Sequence, residues 1–247
     1  MILAAGLGTR LRPLTDDRPK ALVEIDGRTL LEITLSRLRR FGVREVIINV
    51  HHFAGMIVDY LKANDSFGMS IEVSREEALL DTGGGLKKAA HFFVEDSSGA
   101  EEPFIVHNVD VLSTIDLGRM MRFHREKNAL ATLAVQSRES SRHLLFDEQG
   151  RLCGRRAGCD GTAELVRHSA ELQALAFSGI HVISPEIFAK MSDRGPFPIV
   201  SAYLKLAAQG EKIMAFRADE YYWRDLGRPE SIAQAAEDIA CGTYSES

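Results

Sequence analysis

The chain opens with MILAAGLGTRLRPLTDDRPK, Met1–Lys20, which places a short apolar run directly before a glycine-rich, basic loop. The run Ile2–Ala5 predicts a buried strand, and the glycines after it let the backbone turn tightly and bring bare N–H groups against a phosphate. The loop has leucine where a dinucleotide-binding fingerprint needs its third glycine, and it has no Walker A pattern. It carries cations at Arg10, Arg12 and Lys20. We therefore predict a phosphate site at the end of the first strand.

Beyond this loop, short apolar runs alternate with helical patterns through the first half of the chain. The predicted strands are Ile2–Ala5, Val46–Val50, Ser70–Val73 and Phe104–His107. The predicted helices are Thr29–Phe41, Met56–Lys62, Lys87–Phe93 and Leu117–Glu126. The first of these has one apolar face, which we expect to pack inward and which consists of Leu30, Ile33, Thr34, Leu38 and Phe41. Strands that alternate with helices form a largely parallel sheet that is buried on both faces. We therefore predict an α/β, Rossmann-like fold with a mixed, mostly parallel central sheet flanked by helices.

After Ala131 the pattern changes to short strands separated by polar turns. The predicted strands here are Ala131–Gln136, Leu144–Asp147, Gly150–Cys153 and Ala174–Ile183, with a hairpin turn at Glu148–Gly150. Two more helices are predicted over Ile199–Gln209 and Pro229–Ala240, and Glu95–Glu102 is expected to be a solvated loop. This organisation predicts one domain over residues 1–242 with a smaller β-rich insertion, followed by a loose tail over 243–247.

The composition limits the classes of function. The 247 residues include 30 Lys and Arg against 35 Asp and Glu, which gives a formal net charge of −5. Because nucleic-acid and anionic-membrane binding rests on clustered cations, this balance argues against both. Three cysteines do not make a disulfide framework, and no apolar run approaches the ~18 residues of a membrane span. Met1–Ala5 lacks the features of a signal peptide, so we expect a cytoplasmic location. We further expect a monomer or homodimer with no nucleic-acid or membrane partner.

Two aspartates follow apolar or aromatic runs that lie far apart in the sequence. Asp110 comes after the predicted strand Phe104–His107, and Asp225 comes after Tyr221–Trp223 and shortly before a glycine. Mg²⁺ favours one or two carboxylates, completed by phosphate and water oxygens, so the pair fits a magnesium site. Either aspartate alone is equally typical of a turn or a helix N-cap.

Two further segments carry small residues where we expect a ligand to approach closely. Three glycines, Gly83–Gly85, precede a predicted helix, and a close ligand explains them better than a flexible helix entry does. Ser178 and Gly179 interrupt a predicted strand, which indicates a bulge or a ligand contact. We expect His51, His52, His107 and His181 to pack as polar residues or to position neighbouring groups. We expect the basic run Arg37–Arg40, with arginines at 37, 39 and 40, to form a solvated helix face.

The strings LAAGLGTRLRPLT (Leu3–Thr15) and PKALV (Pro19–Val23) resemble the signature of sugar-phosphate nucleotidyltransferases, and later motifs recur in that family's order. These enzymes join a nucleoside triphosphate to a sugar 1-phosphate and release pyrophosphate. The resemblance implies a fold of the nucleotide-diphospho-sugar transferase type. The resemblance also implies that this domain has three parts. Residues 1–130 mainly bind the nucleotide, residues 131–228 mainly bind the sugar phosphate, and residues 229–242 form a C-terminal helix.

The resemblance also implies roles for residues of the matching motifs. Arg10 stabilises charge on the transferring phosphate, Lys20 holds the α-phosphate, and Asp110 acts at the sugar phosphate and, with Asp225, holds Mg²⁺ or Mn²⁺. The implied nucleotide-binding residues are Leu3, Ala4, Ala5, Gly6, Gly8, Thr9, Arg10, Lys20, Glu76, Thr82, Gly83, Gly84 and Asn108. The implied sugar-binding residues are Asp110, Ser178, Gly179 and Glu164. Glu76 can pair with the edge of the base, but Glu77 competes for that role, and plain solvation of both residues is also open.

The expected reaction is in-line attack of the sugar phosphate on the α-phosphorus of a nucleoside triphosphate. It needs no general base, because the attacking phosphate oxygen is already ionised. The strings TGGG (Thr82–Gly85) and FSGI (Phe177–Ile180) look most like uridylyltransferases that act on N-acetylmuramate 1-phosphate. A mannose-1-phosphate guanylyltransferase is the alternative within the family. A nucleotide-sugar-binding regulatory protein without turnover is the alternative from another class.

Overall fold

The structure is a computed structural model that describes residues 1–94, 102–157 and 161–244. The predicted loop after Val94, apart from Glu102, lies outside the described residues, as do Cys159 and the last three positions of the chain. The chain divides into two compact units. Unit 1 comprises Met1–Asp81, His107–Ile115 and Tyr221–Ser247, and unit 2 comprises Thr82–Val106 and Asp116–Glu220. The single domain over residues 1–242 stays a prediction.

Helices and strands alternate through the first half, and strands dominate the middle of the chain. The helices are α1 (Leu30–Arg40), α2 (Ala54–Ala63), α3 (Asp81–Lys88), α4 (His91–Val94), α5 (Leu117–Lys127), α6 (Ile187–Lys190), α7 (Ile199–Ala208) and α8 (Pro229–Ala240). The strands are β1 (Ile2–Leu3), β2 (Glu24–Ile25), β3 (Arg28–Thr29), β4 (Glu45–Val50), β5 (Ser70–Arg75), β6 (Phe104–Asn108), β7 (Val111–Ser113), β8 (Ala131–Gln136), β9 (Arg142–Phe146), β10 (Leu152–Ala157), β11 (Ala163–Leu165), β12 (Gln173–Ile183), β13 (Ile213–Arg217) and β14 (Trp223–Asp225). Among the described helices, none combines the length and the apolarity that crossing a bilayer requires.

Unit 1 is built around parallel strands. β1 lies between β4, where Ile2 is opposite Ile48, and the end of β6, where Ile2 is opposite His107. β4 also pairs in parallel with β5, and the run Val46–Val50 is buried throughout, as its continuous apolar pattern predicts. Because the carboxyl ends of parallel strands meet at one edge, the loops that follow β1 and β6 leave the sheet side by side.

Helix α1 begins at a side-chain cap and packs the predicted apolar face inward. The hydroxyl of Thr29 accepts a hydrogen bond from Glu32 N at 3.1 Å, which satisfies one of the donors that a helix start leaves unpaired. The predicted buried positions Leu30, Ile33, Thr34 and Leu38 are buried. Phe41 was predicted on the same face and is 41% exposed, because the helix ends at Arg40 and the chain turns away.

Arg37 shows that the prediction of a solvated basic face over Arg37–Arg40 is wrong at its first residue. The side chain is buried, and its guanidinium donates hydrogen bonds to the main-chain oxygens of Ser113 and Ile115. Arg37 lies one helical turn after the buried residue Ile33, which places it on the inner face of α1. A cation of α1 therefore holds the end of β7. Arg39 and Arg40 are exposed, as predicted.

Unit 2 contains a mixed sheet. β12 pairs antiparallel with β8 and β9, β10 pairs antiparallel with β9 and β11, and β13 pairs parallel with β8. The hairpin turn predicted at Glu148–Gly150 is confirmed between β9 and β10, where Gly150 N donates to Asp147 O at 2.9 Å. Together with the parallel strands of unit 1, these pairings confirm the predicted α/β class with a mixed central sheet flanked by helices.

Candidate active site

The loop after β1 is fixed by buried neighbours, while its cation Arg10 is exposed. Leu11 is fully buried, and its N–H donates to Gly8 O at 2.8 Å. The hydroxyl of Thr15 donates to the same oxygen at 2.9 Å. Gly8 has a φ of +67°, and a Cβ there would lie 3.0 Å from Thr15 Cγ2, so both backbone conformation and space favour glycine. The loop thus presents Arg10 from a rigid base.

Behind this loop, a buried relay of side chains supports the end of β1. Ala4 N donates to Asn49 Oδ1 at 2.8 Å, and Asn49 Nδ2 donates to Glu76 Oε1 at 2.7 Å. The other oxygen of Glu76 accepts from Leu80 N at 2.9 Å, and Glu76 is only 5% exposed. Glu76 is therefore not solvated, and both of its oxygens bind protein groups. Its contact with a base stays a prediction.

Lys20 and Asp110, which are 90 positions apart in the sequence, form an ion pair. Lys20 begins a 3₁₀ turn over Lys20–Leu22, and its Nζ donates to Asp110 Oδ2. Asp110 lies in the turn after β6 and directly precedes β7. The two side chains are 11% and 18% exposed, so the pair is mostly shielded from water. The structure thus brings together two of the residues predicted to act on phosphates.

Strand pairing places Asp225 beside Asp110. β14 pairs antiparallel with β7, with Asp225 opposite Val111, and Leu226 N donates to Asp110 O at 2.8 Å. The two aspartates therefore stand at the same end of a two-stranded ribbon. The predicted metal residues are neighbours in space, although 115 positions separate them in the sequence.

Arg10 and Asp225 flank Gly227 so closely that any side chain there would displace one of them. Gly227 N donates to Asp225 Oδ1 at 2.9 Å. A Cβ on Gly227 would lie 2.6 Å from that oxygen and 2.8 Å from Arg10 Nη2. Arg10, Lys20, Asp110 and Asp225 thus belong to one region of unit 1, in which two cations meet two carboxylates.

The donor set of this region suits magnesium. Among the described residues, no group of three or more His, Cys, Asp or Glu side chains is arranged to hold a metal ion. Mg²⁺ is usually held by one or two carboxylates together with substrate phosphates and water. Asp110 and Asp225 supply two such carboxylates beside two cations that attract phosphate, so the residues fit the predicted ion.

His107 lies beneath Asp110 and is a neutral, buried residue. Its Nδ1 donates to Asn108 O at 2.8 Å. Burial, with Arg37 nearby, lowers the pKa of His107 to about 3, so the ring is uncharged at neutral pH. It packs as a polar core residue, as predicted, and it helps to shape the turn that carries Asp110.

In unit 2, the glycine segment has a different structure from the one we predicted. Gly83–Gly85 lie inside α3 and do not precede a helix. A Cβ on Gly83 would lie 2.3 Å from the ring of Phe197, so the packing of that ring explains this glycine without a ligand. The hydroxyl of Thr82 accepts from Ile199 N at 2.9 Å, at the start of α7. Contacts of Thr82, Gly83 and Gly84 with a base stay predictions.

The bulge predicted at Ser178 and Gly179 is confirmed. The register between β12 and β8 shifts between Phe177 and His181, and Gly179 has a φ of +73°. Ser178 is fully buried. The structure does not bring Glu164 to this bulge: it lies exposed in β11 and forms an ion pair with Arg155 at 2.6 Å. The sugar contacts of Ser178, Gly179 and Glu164 stay predictions.

Two residues that sequence reasoning did not select have clear places in unit 1. Asn49 connects Ala4 with Glu76, and its signal was a lone polar residue within the apolar run Val46–Val50. Gly227 lies where Arg10 and Asp225 meet, and its signal was a glycine two positions after an aspartate. Neither signal identifies a partner without the fold.

Comparisons with known proteins agree with this geometry. Residues 1–144 match the family model described as "Nucleotidyl transferase". An N-acetylmuramate alpha-1-phosphate uridylyltransferase of Caulobacter vibrioides is 33% identical over 97% of this chain and 96% of its own length. A mannose-1-phosphate guanylyltransferase of Mycobacterium tuberculosis is 28% identical over 98% of this chain, which spans 64% of that protein's length.

The fold is also similar to that of solved structures. A UDP-glucose pyrophosphorylase complexed with UDP-glucose superposes with a TM-score of 0.77, at 18% identity, over 98% of this chain and 97% of that chain. This likeness concerns the fold alone, and it confirms the predicted nucleotide-diphospho-sugar transferase type. Because the family model matches more than half of the chain and the Caulobacter relative matches nearly all of it, the protein belongs to the nucleotidyl transferase family and is a sugar-phosphate nucleotidyltransferase.

Proposed function

We propose that the protein transfers a uridylyl group from UTP to N-acetylmuramate 1-phosphate and releases pyrophosphate. One observation carries this choice: the Caulobacter uridylyltransferase is 33% identical over 97% of this chain and 96% of its own length. Its similarity therefore extends over both the predicted nucleotide half and the predicted sugar half. The proposal includes a cytoplasmic location, where UTP is present, and a contribution to cell-wall sugar metabolism.

The charges of unit 1 support phosphoryl transfer of this kind. Such a reaction asks a protein to position its reactants and to stabilise charge on the phosphate oxygens, with little covalent help. Arg10 stands on a rigid loop and faces outward, as a cation that meets a triphosphate must. Lys20 is mostly shielded from water, so its charge interacts more strongly with a phosphate than an exposed lysine would. We assign the leaving pyrophosphate to Arg10 and the α-phosphate to Lys20.

Asp110 and Asp225 are the proposed holders of the divalent ion, Mg²⁺ or Mn²⁺. Their backbones are joined through the β7–β14 pairing and the hydrogen bond from Leu226 N to Asp110 O. A bound ion would supply positive charge that stabilises the phosphate oxygens while the uridylyl group is transferred. The protein's part is to hold both carboxylates at one end of the ribbon, close to Gly227 and the guanidinium of Arg10.

A second candidate is mannose-1-phosphate guanylyl transfer. The guanylyltransferase of Mycobacterium tuberculosis is 28% identical over 98% of this chain, so this alternative has support at nearly the same level of identity. The nucleotide contacts that we predict use the backbone around Ala4 and Gly6, and backbone groups serve uracil and guanine alike. The choice of base therefore depends on direct measurement.

The test is pyrophosphate release with Mg²⁺ across four substrate pairs: UTP or GTP, each with N-acetylmuramate 1-phosphate or mannose 1-phosphate. We expect the highest kcat/KM with UTP and N-acetylmuramate 1-phosphate. A higher value with GTP and mannose 1-phosphate would establish the second candidate in its place. Failure of every pair, with the protein folded by circular dichroism, would favour a regulatory protein that binds nucleotide-sugars without turnover.

A further inference from the structure

A polar cluster in unit 2 is connected to the Ser178–Gly179 bulge through Arg138. Arg138 Nη2 donates at 2.9 Å to the main-chain oxygen of Phe177, the residue before the bulge. The main-chain oxygen of Arg138 in turn contacts His143 Nε2 at 3.2 Å. Arg156 lies directly opposite His143 in the β9–β10 ladder, so their side chains share one face of the sheet. We call Arg138, His143 and Arg156 the arginine–histidine cluster.

Arg156 is a half-buried cation without a partner in the described part of the chain. Its guanidinium makes no hydrogen bond or ion pair with any described residue, and its Nε is shielded from solvent. The neighbouring Arg155 is exposed and forms an ion pair with Glu164. A buried donor left unsatisfied loses its hydrogen bonds to water without replacement, at a higher cost when it is charged, and folded proteins seldom carry one without a reason. An acceptor on a bound ligand would provide that reason.

The hydrogen bond of His143 determines what its other ring nitrogen offers. A carbonyl oxygen only accepts, so Nε2 carries the proton that is donated to Arg138 O. In the neutral ring, Nδ1 is therefore an acceptor. This atom is shielded from solvent and has no hydrogen-bond partner among the described residues. The cluster thus presents a guanidinium donor and a ring-nitrogen acceptor on neighbouring strands.

We propose that Arg156 recognises a carboxylate on the sugar substrate, while His143 Nδ1 accepts a hydrogen bond from an N–H or O–H group of the same sugar. This inference rests on the proposed function, under which Ser178 and Gly179 lie against the sugar. N-acetylmuramate is N-acetylglucosamine with a lactyl ether that ends in a carboxylate, and both sugars carry an acetamido N–H. A planar guanidinium binds a carboxylate through two parallel hydrogen bonds, so Arg156 selects the lactyl sugar.

The experiment compares two sugars and three variants. We measure pyrophosphate release from UTP with N-acetylmuramate 1-phosphate and with N-acetylglucosamine 1-phosphate, for wild type, Arg156→Met, Arg156→Lys and Arg155→Met. Arg156→Met should raise KM for the lactyl sugar by about 10- to 100-fold with little change in kcat, the scale of one charge-assisted contact. Its KM for N-acetylglucosamine 1-phosphate should stay within about twofold, since that sugar has no carboxylate to lose. Arg156→Lys should retain part of the preference, and Arg155→Met, the matched control from the same strand, should retain all of it.

Each outcome decides the inference. If wild type does not distinguish the two sugars, or if Arg156→Met keeps the wild-type preference or weakens both sugars equally, Arg156 does not read the carboxylate and the inference is overturned. The uridylyl-transfer proposal survives each of these results. If wild type turns over neither sugar phosphate, the proposed function fails instead. Calorimetric binding of free N-acetylmuramate and N-acetylglucosamine then decides: a preference for the former that Arg156→Met abolishes supports the inference, and equal binding overturns it.

Discussion

Substituting Arg37 by methionine removes the cation that α1 places against the end of β7. Methionine keeps a long unbranched stem but has no donor, so the main-chain oxygens of Ser113 and Ile115 lose the hydrogen bonds from the guanidinium. A hydrogen bond to a charged group contributes about 1.5–3 kcal/mol to stability, and the variant loses two of them. Because the variant no longer buries a charge, the desolvation cost that it avoids offsets part of this loss. We expect the free energy of unfolding of unit 1 to fall by about 2–4 kcal/mol.

The assay uses the single tryptophan of the chain. Trp223 lies opposite Ser113 in the β7–β14 pair, so its fluorescence reports the unfolding of the segment that Arg37 holds. Urea titration gives the midpoint and the slope for wild type and for Arg37→Met. Arg40→Met is the matched control, because Arg40 is exposed on the same helix and such surface changes alter stability by about 0.5 kcal/mol or less. Equal shifts for the two variants would refute the reasoning.

Three further expectations concern the site and the pH dependence of folding. Asp110→Asn should retain the fold but lower kcat by ~100-fold, the scale of losing a charge-stabilising group. Asp59→Asn is the control and should leave kcat unchanged, because Asp59 is exposed. Full activity of Asp110→Asn would remove this carboxylate from the mechanism. Gly227→Ala should reduce kcat/KM by ~100-fold because its methyl group displaces the flanking carboxylate and guanidinium. Gly55→Ala is the control, since a Cβ at Gly55 would meet no atom within 4 Å. Unchanged kcat/KM in Gly227→Ala would contradict this prediction. Burial lowers the pKa of His124 to about 4, so the unfolded chain binds a proton that the folded chain does not, and stability should fall as the pH drops from about 6.5 towards 4. His124→Asn should flatten this decline in urea midpoints, and an unaltered decline would assign it to other groups.

Elements with a long periodic pattern were predictable from sequence, and short elements that depend on a distant partner were not. Helix α1 has a capped start and apolar residues at helical spacing, and β4 is a continuous apolar run, so both were predicted within one or two residues of their observed ends. β7 and β14 have three residues each, too few to show any period. They exist because Trp223 pairs with Ser113, and a pairing between positions so far apart leaves no local signal.

The same limit applied to individual residues of the site. The charged residues of the site could be recognised from sequence motifs, because charge and position after a strand are local properties. These residues are Arg10, Lys20, Asp110 and Asp225. Arg37 was not recognisable as a buried anchor, since a helical arginine has the same sequence signal whether it faces water or two main-chain carbonyls. Glycines such as Gly83 likewise signal a close approach without saying what approaches, and here Phe197 does.

The pairing of Lys20 with Asp110 explains how an acidic chain can serve substrates that carry many negative charges. Each charge is mostly shielded from water, and a shielded charge is costly unless it is compensated, so the two residues compensate each other in the protein alone. Under the proposed function, the triphosphate and the divalent ion arrive with opposite charges. Lys20 would then exchange its carboxylate partner for a phosphate, and Asp110 would exchange its ammonium partner for the ion. Under this proposal both residues are compensated before and after binding, so the net charge of −5 is no obstacle to binding anionic substrates at this site.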